Sequence, residues 1–168
     1  MIERSILATD LALHFKEAPA LSALAQLVNQ SDEALANMSK SEASKKHLLQ
    51  AGMMTAADLG AATKPWQVHE FVSRLIAEEF WTQGDIERRE FKIEPTPMFD
   101  RSVGLEVVQV DFLDSLCLPL YEDMALFSSE FQPILDGCRA NRRRWATLQR
   151  SNEDSPQKNN EIEQARNL

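Results

Sequence analysis

Apolar side chains recur every three to four positions along most of the chain, which is the period of an amphipathic helix. The pattern predicts helices over residues 1–15, 19–30, 44–63, 67–80, 105–127 and 131–150. Five glycines and one tyrosine argue against a many-stranded sheet, whose turns need glycine and whose strands favour aromatic residues. We therefore predict an all-α fold, a multi-helix bundle.

Helix ends and irregularities can be placed from proline, glycine and serine. Pro19 suits the first turn of the second helix, and Ser44 is expected to cap the third. The third helix must end before Pro65. Gly84 is expected to kink or interrupt the fourth helix, and Pro119 to bend the fifth.

Three stretches lack helical periodicity. Residues 31–44 are polar and predict a connector, and residues 92–104 carry two prolines and a glycine, which predict a loop. After Arg150 the chain is polar and poor in apolar residues, so we expect a disordered tail. The predicted organisation is one helical domain over residues 1–150 and a tail over residues 151–168.

Charge and cysteine usage narrow the class of protein. The formal net charge of −8 over 168 residues would repel nucleic acid and anionic membranes over most of the surface. Cys117 and Cys138 lie in apolar helical contexts without CxxC spacing, which is typical of reduced core cysteines in a cytosolic protein. No apolar run reaches the roughly 20 residues of a membrane span. A cytoplasmic protein that does not bind nucleic acid is expected.

One carboxylate stands out in the stretch "MMTAADLGAATKPW", where Asp58 lies among small and apolar residues. Burying a lone carboxylate is unfavourable unless a partner or a metal ion compensates the charge. From the residues alone, an ordinary helical aspartate paired with a lysine such as Lys64 is favoured over a metal ligand. The chain has no phosphate-binding glycine loop, HExxH string or nucleophile elbow. Its three histidines share no motif.

Several strings, taken in order, resemble the C-terminal half of the catalytic domain of class I 3',5'-cyclic nucleotide phosphodiesterases. The strings are "ILATDLALHF", "MMTAADLGAATKPW", "EEFWTQGDIERREF", "PTPMFDR", "QVDFLDSLCLPLYE" and "LDGCRANRRRW". Their amino-acid sequences are most similar to those of the GAF-domain-containing branch, which includes cGMP-specific and dual-specificity enzymes. The resemblance implies hydrolysis of cGMP, cAMP or both to 5'-nucleoside monophosphates, in signal transduction, by a two-metal mechanism.

The resemblance implies a role for Asp58 as one protein ligand of a tightly held zinc ion. Two histidines and another aspartate from earlier helices complete that ligand set in the family. A second metal, magnesium or manganese, shares a bridging water, and the two cations together activate this water for attack on phosphorus.

The same resemblance implies a nucleobase pocket. Gln109 matches the glutamine that reads the purine, Phe112 the aromatic residue that stacks on the base, and Ile76 the aliphatic residue on its other face. Trp145 and His69 are expected to lie behind this pocket. His69 stands where some cGMP-specific members carry a glutamine that fixes the purine-reading amide, so dual or undetermined nucleotide preference is expected.

The family's HNxxH string, its HD pair and its leaving-group histidine have no counterpart here. We therefore expect the 168 residues to be a fragment that has no turnover alone, binds zinc weakly and is marginally stable. The resemblance leaves open a homodimer of the full-length enzyme. The alternative is a non-catalytic helical interaction module or a truncated isoform, and the coding sequence upstream of Met1 would discriminate between the two.

Overall fold

The computed structural model describes residues 6–7, 9–30 and 43–153. Within these ranges the structure is helical and has no strand, so the predicted all-α class is confirmed. The helices are α1 (Leu11–Gln30), α2 (Ala43–Asp58), α3 (Trp66–Ile86), α4 (Leu105–Phe112), α5 (Leu118–Phe127) and α6 (Gln132–Glu153). Short 3-10 turns occupy Gly60–Thr63, Pro97–Phe99 and Ser129–Phe131, and π-helical turns occupy Glu87–Phe91 and Leu113–Cys117.

Helix α1 corrects the prediction of two helices divided near Pro19. The helix begins at Leu11 because Asp10 caps it, its carboxylate accepting a hydrogen bond from the Ala12 amide at 2.9 Å. It then runs through Pro19 without a break. Proline removes one backbone hydrogen bond, but the buried face that carries Leu21 packs against α5 and α2 and keeps the helix continuous.

The predicted cap at Ser44 and the predicted interruption at Gly84 are also wrong. Ser44 lies inside α2, which includes Ala43, so it does not mark the first residue of that helix. Gly84 does not interrupt α3, which continues to Ile86. Gly84 has a packing role instead, because an added Cβ would overlap the backbone carbonyl of Phe99 in the facing 3-10 turn.

The helix predicted over residues 105–127 is divided into α4 and α5 by the π-helical turn Leu113–Cys117. Pro119 follows this turn within the first two residues of α5. A proline inside a helix leaves a carbonyl without its usual donor, and π turns are a common way to absorb such a local defect. The sequence therefore indicated where the irregularity lies but not its form.

A core of large side chains holds α5 and α6 together and joins them to α2. Tyr121 and Trp145 are each 1% exposed, and the Tyr121 hydroxyl donates a 2.9 Å hydrogen bond to the Ala56 carbonyl. Cys117 and Cys138 are free and fully buried, as predicted. Burial raises the pKa of the Cys117 thiol and raises that of Cys138 to about 12, so both side chains stay protonated thiols in the core.

The remaining predictions on connections have mixed outcomes. Residues 92–104 form the predicted loop, apart from the 3-10 turn Pro97–Phe99. Helix α6 extends to Glu153, three residues into the predicted tail. The rest of that tail and residues 31–42 of the predicted connector lie outside the described residues. No helix in the described part of the chain has the length and apolar character needed to cross a membrane.

Candidate nucleotide-binding site

A cleft of about 240 Å³ opens between α3 and α4 and reaches the C-terminal end of α2. Its wall is mainly apolar. Asp58, Ile76, Gln109 and Phe112 all line it, although Asp58 and Gln109 are 51 positions apart in the sequence. The structure therefore brings together the four residues to which the resemblance gave direct contacts with a metal ion or a nucleobase.

Gln109 supplies the amide group of the cleft from α4. Its side chain is 9% exposed, and its Oε1 accepts a 3.1 Å hydrogen bond from the Ser73 hydroxyl on α3. Phe112 follows three residues later on the same helix, so both side chains share one face. Ile76, which is 44% exposed, lies across the cleft on α3.

His69 lies at the inner end of the cleft, one helical turn before Ser73, and is 2% exposed. The Trp145 indole N–H donates a 2.8 Å hydrogen bond to its Nε2, so this nitrogen is the acceptor. Nδ1 therefore carries the proton and donates to the Ala61 carbonyl at 3.1 Å. Burial lowers the pKa of His69, which keeps the ring neutral, and the hydrogen bond to Ala61 only partly opposes this shift.

The indole of Trp145 lies behind the cleft rather than in its wall. It packs edge-on against Trp66, with 5.0 Å between ring centroids, and it is 1% exposed. Its connection to the cleft runs through His69. The hydrogen bond to the Gln109 amide comes from Ser73 rather than from His69, whose two nitrogens are both engaged elsewhere.

Asn141 on α6 fixes the 3-10 turn that follows Asp58. Its Nδ2 donates to two carbonyl oxygens, that of Ala62 at 2.9 Å and that of Lys64 at 2.8 Å. Gly137, one turn earlier on α6, allows this close approach, because an added Cβ would overlap the Thr63 carbonyl. Sequence reasoning missed Asn141 and Ser73, since each has its partner far away in the chain and lies in no local motif.

Asp58 is the last residue of α2 and its side chain is exposed. The pairing with Lys64 is not observed in the described part of the chain, where no ion pair joins these residues. Across the same residues no three His, Cys, Asp or Glu side chains are grouped closely enough to hold a metal ion. Asp58 could therefore supply one ligand of a metal site, and the other ligands would have to come from outside the described residues.

These features define a helical domain whose apolar cleft combines one amide with one carboxylate. The family model described as 3'5'-cyclic nucleotide phosphodiesterase matches residues 1–138. The chain belongs to that family, and the predicted resemblance is confirmed.

The relatives agree with this assignment. The chain is 41% identical over 152 residues to the mouse cone cGMP-specific 3',5'-cyclic phosphodiesterase subunit alpha'. It is 39% identical over 152 residues to the human rod cGMP-specific 3',5'-cyclic phosphodiesterase subunit alpha. Each match covers 88% of this chain and 18% of the relative. The chain therefore spans about a fifth of the length of these relatives.

A solved structure shows the same fold. The structure of LmjPDEB1 in complex with IBMX matches with a TM-score of 0.72 and 26% identity, over 88% of this chain and 42% of that chain.

Proposed function

We propose that this chain supplies the nucleobase pocket and one metal ligand of a catalytic domain that hydrolyses 3',5'-cyclic nucleotides to 5'-nucleoside monophosphates. The convergence of Asp58, Ile76, Gln109 and Phe112 on one cleft is the observation that supports this proposal. Membership of the phosphodiesterase family agrees with it. The curated relatives are cGMP-specific by name, so cGMP is a proposed substrate, alongside cAMP.

The nucleobase would lie between Phe112 and Ile76, with its polar edge toward Gln109. An amide suits this task because it both donates and accepts, and thus can pair with the edge of either purine. Phe112 offers an aromatic face for stacking, and Ile76 is exposed enough to contact a base without moving.

Asp58 would hold a divalent metal ion together with ligands that the described residues do not contain. Zinc at this site and magnesium or manganese at a second one are proposed by analogy with the family. Bound metal ions would polarise the phosphate and activate water. The contribution of this chain is to place one carboxylate and the base-binding groups at the same cleft.

A chimera tests the proposal. The upstream part of the catalytic domain of the mouse cone subunit is fused ahead of residues 1–168, and hydrolysis of cGMP and cAMP is measured with Zn²⁺ and Mg²⁺. We expect turnover by the chimera and none by the 168-residue chain alone. Asp58→Ala should lower kcat/KM by at least about 100-fold, because loss of a group that merely orients a metal ligand already costs roughly 10–100-fold.

The matched control is Asp111→Ala, which removes an exposed carboxylate from α4 that does not line the cleft. It should leave turnover within about twofold. A folded chimera that hydrolyses neither nucleotide, or one that tolerates Asp58→Ala, would contradict the proposal.

A non-catalytic helical interaction module is the second candidate. It is favoured by an apolar row on α3, where Val68, Phe71 and Leu75 are 49%, 64% and 56% exposed. Their spacing places them on one helix face. An inactive chimera together with a soluble partner that protects this row from hydrogen exchange would support the module instead. A homodimer of the longer enzyme stays a prediction.

A further inference from the structure

Two buried side chains donate hydrogen bonds to the backbone on either side of Asp58. The Tyr121 hydroxyl on α5 donates at 2.9 Å to the carbonyl of Ala56, which precedes Asp58 in α2. The Asn141 amide on α6 donates at 2.9 Å to the carbonyl of Ala62, which follows Asp58 in the 3-10 turn. Tyr121 is 1% exposed and Asn141 is 2% exposed. The backbone that carries this exposed carboxylate is therefore held from two other helices.

The two hydrogen bonds lie where a helix end would otherwise be loose. Helix α2 ends at Asp58, and the chain then enters the 3-10 turn Gly60–Thr63. The last carbonyls of a helix have no donor within it, and helix ends fray. Because a side chain moves with its backbone, donors from α5 and α6 limit how far the Asp58 carboxylate can move.

The hydrogen bonds from Tyr121 and Asn141 do not depend on each other, because they come from different helices. Asn141 also donates to the Lys64 carbonyl at 2.8 Å, and His69 on α3 donates to the Ala61 carbonyl at 3.1 Å. The segment after Asp58 therefore keeps other contacts when one polar group is removed. Loss of either group should shift the helix end without unfolding the chain.

We propose that Tyr121 and Asn141 are positioning residues for the metal ion that Asp58 would bind. They hold the end of α2 so that the carboxylate stays where the other ligands can reach the same ion. This inference rests on the proposed function of Asp58 as a metal ligand. Neither Tyr121 nor Asn141 lines the cleft, so each acts through the backbone of Asp58 rather than by touching the metal ion or the nucleotide.

The test is zinc affinity, measured in the chimera by competition with a chromophoric chelator, which needs no turnover. Tyr121→Phe removes only the hydroxyl and keeps the ring in the core, and Asn141→Ala removes the amide. Each variant should weaken zinc binding by about tenfold, the lower end of the range for groups that orient a metal ligand, because the other hydrogen bond remains. Tyr121→Phe keeps the proposal testable if Asn141→Ala fails to fold.

Hydrogen exchange in the 168-residue chain tests the same two side chains without any metal ion. The Leu59 amide donates to the Thr55 carbonyl at 3.0 Å, and the Ala62 amide donates to the Leu59 carbonyl at 2.9 Å. In both variants these two amides should exchange at least about threefold faster relative to the rest of the chain, because the helix end opens more often.

The matched control is Val28→Ala, which removes buried apolar contacts of α1 away from the cleft. Val28→Ala should lower the stability of the whole domain. It should leave the zinc affinity of the chimera within about twofold, and the amides of Leu59 and Ala62 should not exchange faster than the rest of the chain.

Three results would overturn the inference. They are a zinc affinity that both variants leave within about twofold, an equal weakening by Val28→Ala, and unchanged exchange at Leu59 and Ala62 in both variants. Asp58→Ala in the same zinc titration tests the proposed function separately. If Asp58→Ala weakens zinc binding and the two positioning variants do not, the inference fails and the proposed function stands; if Asp58→Ala has no effect, the proposed function itself fails.

Discussion

Replacing Asn141 with alanine should destabilise the protein, because this side chain holds the 3-10 turn that follows α2. The Nδ2 group of Asn141 is the donor for two backbone carbonyls in and beside the 3-10 turn Gly60–Thr63, and the side chain is 2% exposed. Alanine removes both hydrogen bonds at once. The carbonyl of Ala62 is buried and would be left without this donor, whereas Lys64 is exposed and water can reach its carbonyl.

The size of the effect follows from these contacts. Two hydrogen bonds contribute about 1 kcal/mol each, and the buried Ala62 carbonyl adds roughly 1 kcal/mol when left unpaired. Alanine regains about 0.6 kcal/mol because it has a higher helix propensity than asparagine. The free energy of unfolding should therefore fall by roughly 2 kcal/mol, which lowers Tm by about 4–8 °C in a domain of this size.

Urea denaturation followed by circular dichroism measures this change in the 168-residue chain. The matched control is Asn29→Ala, an exposed asparagine on α1, which should alter the free energy of unfolding by less than about 0.5 kcal/mol. A loss below 0.5 kcal/mol for Asn141→Ala would refute the reasoning that these two hydrogen bonds hold the turn. Asn141→Asp should lower the free energy of unfolding more at pH 7 than at pH 4.5, because an ionised carboxylate would face two carbonyl oxygens.

The remaining predictions concern pH and close packing. Burial lowers the pKa of His69 and of His14 below the ordinary value of 6.5. As pH falls, these histidines therefore bind protons in the unfolded chain before they do in the folded protein, so the free energy of unfolding should fall between about pH 7.5 and pH 5.5. In Trp145→Phe the ring of His69 loses the donor at Nε2, and stability should fall less steeply over the same range; an unchanged slope would argue against the neutral tautomer. Gly84→Ala should destabilise by about 1–3 kcal/mol in urea because its Cβ would meet backbone, whereas Gly60→Ala meets no atom within 4 Å and should be nearly neutral. Equal effects of the two glycine changes would show that the contact at position 84 relaxes freely.

Hydrophobic period predicted the helices well and their boundaries less well. The period of apolar residues predicted the ranges that became α2, α3 and α6, because in a bundle each buried face must recur with the helical repeat. The period of apolar residues could not show whether the helices continue through Pro19 and Gly84. At Pro19 burial against α5 and α2 outweighs one lost hydrogen bond, and at Gly84 the cause is a contact with a loop fifteen residues away. Both are tertiary effects.

The cleft was only partly predictable. Gln109, Phe112, Ile76 and Asp58 were indicated by resemblance to a family and not by their periodicity, which is also that of ordinary core and surface positions. Ser73 was missed because a serine on a helix is unremarkable until Gln109 is placed beside it, 36 positions away. Such residues gain their roles from long-range contacts, and one sequence carries no local signal for those contacts.

Asp58 affects both the stability of the chain and its proposed function. It ends α2, where the helix dipole places partial negative charge, so a carboxylate there is unfavourable by about 0.3–1 kcal/mol. An ionised carboxylate only accepts hydrogen bonds, so it cannot satisfy the carbonyls at this helix end. Two carbonyls of the last turn have donors elsewhere, Thr55 from the Leu59 amide and Ala56 from the Tyr121 hydroxyl.

Asp58→Asn should therefore raise the free energy of unfolding by a few tenths to about 1 kcal/mol at low ionic strength, with a smaller gain in 1 M salt. In the chimera the same change should remove turnover, because an amide is a much poorer ligand for a cation than a carboxylate. A stabilised but inactive variant is the pattern expected of a charge kept for binding a metal ion. If Asp58→Asn instead lowered the free energy of unfolding by more than about 0.5 kcal/mol, Asp58 would have a structural role.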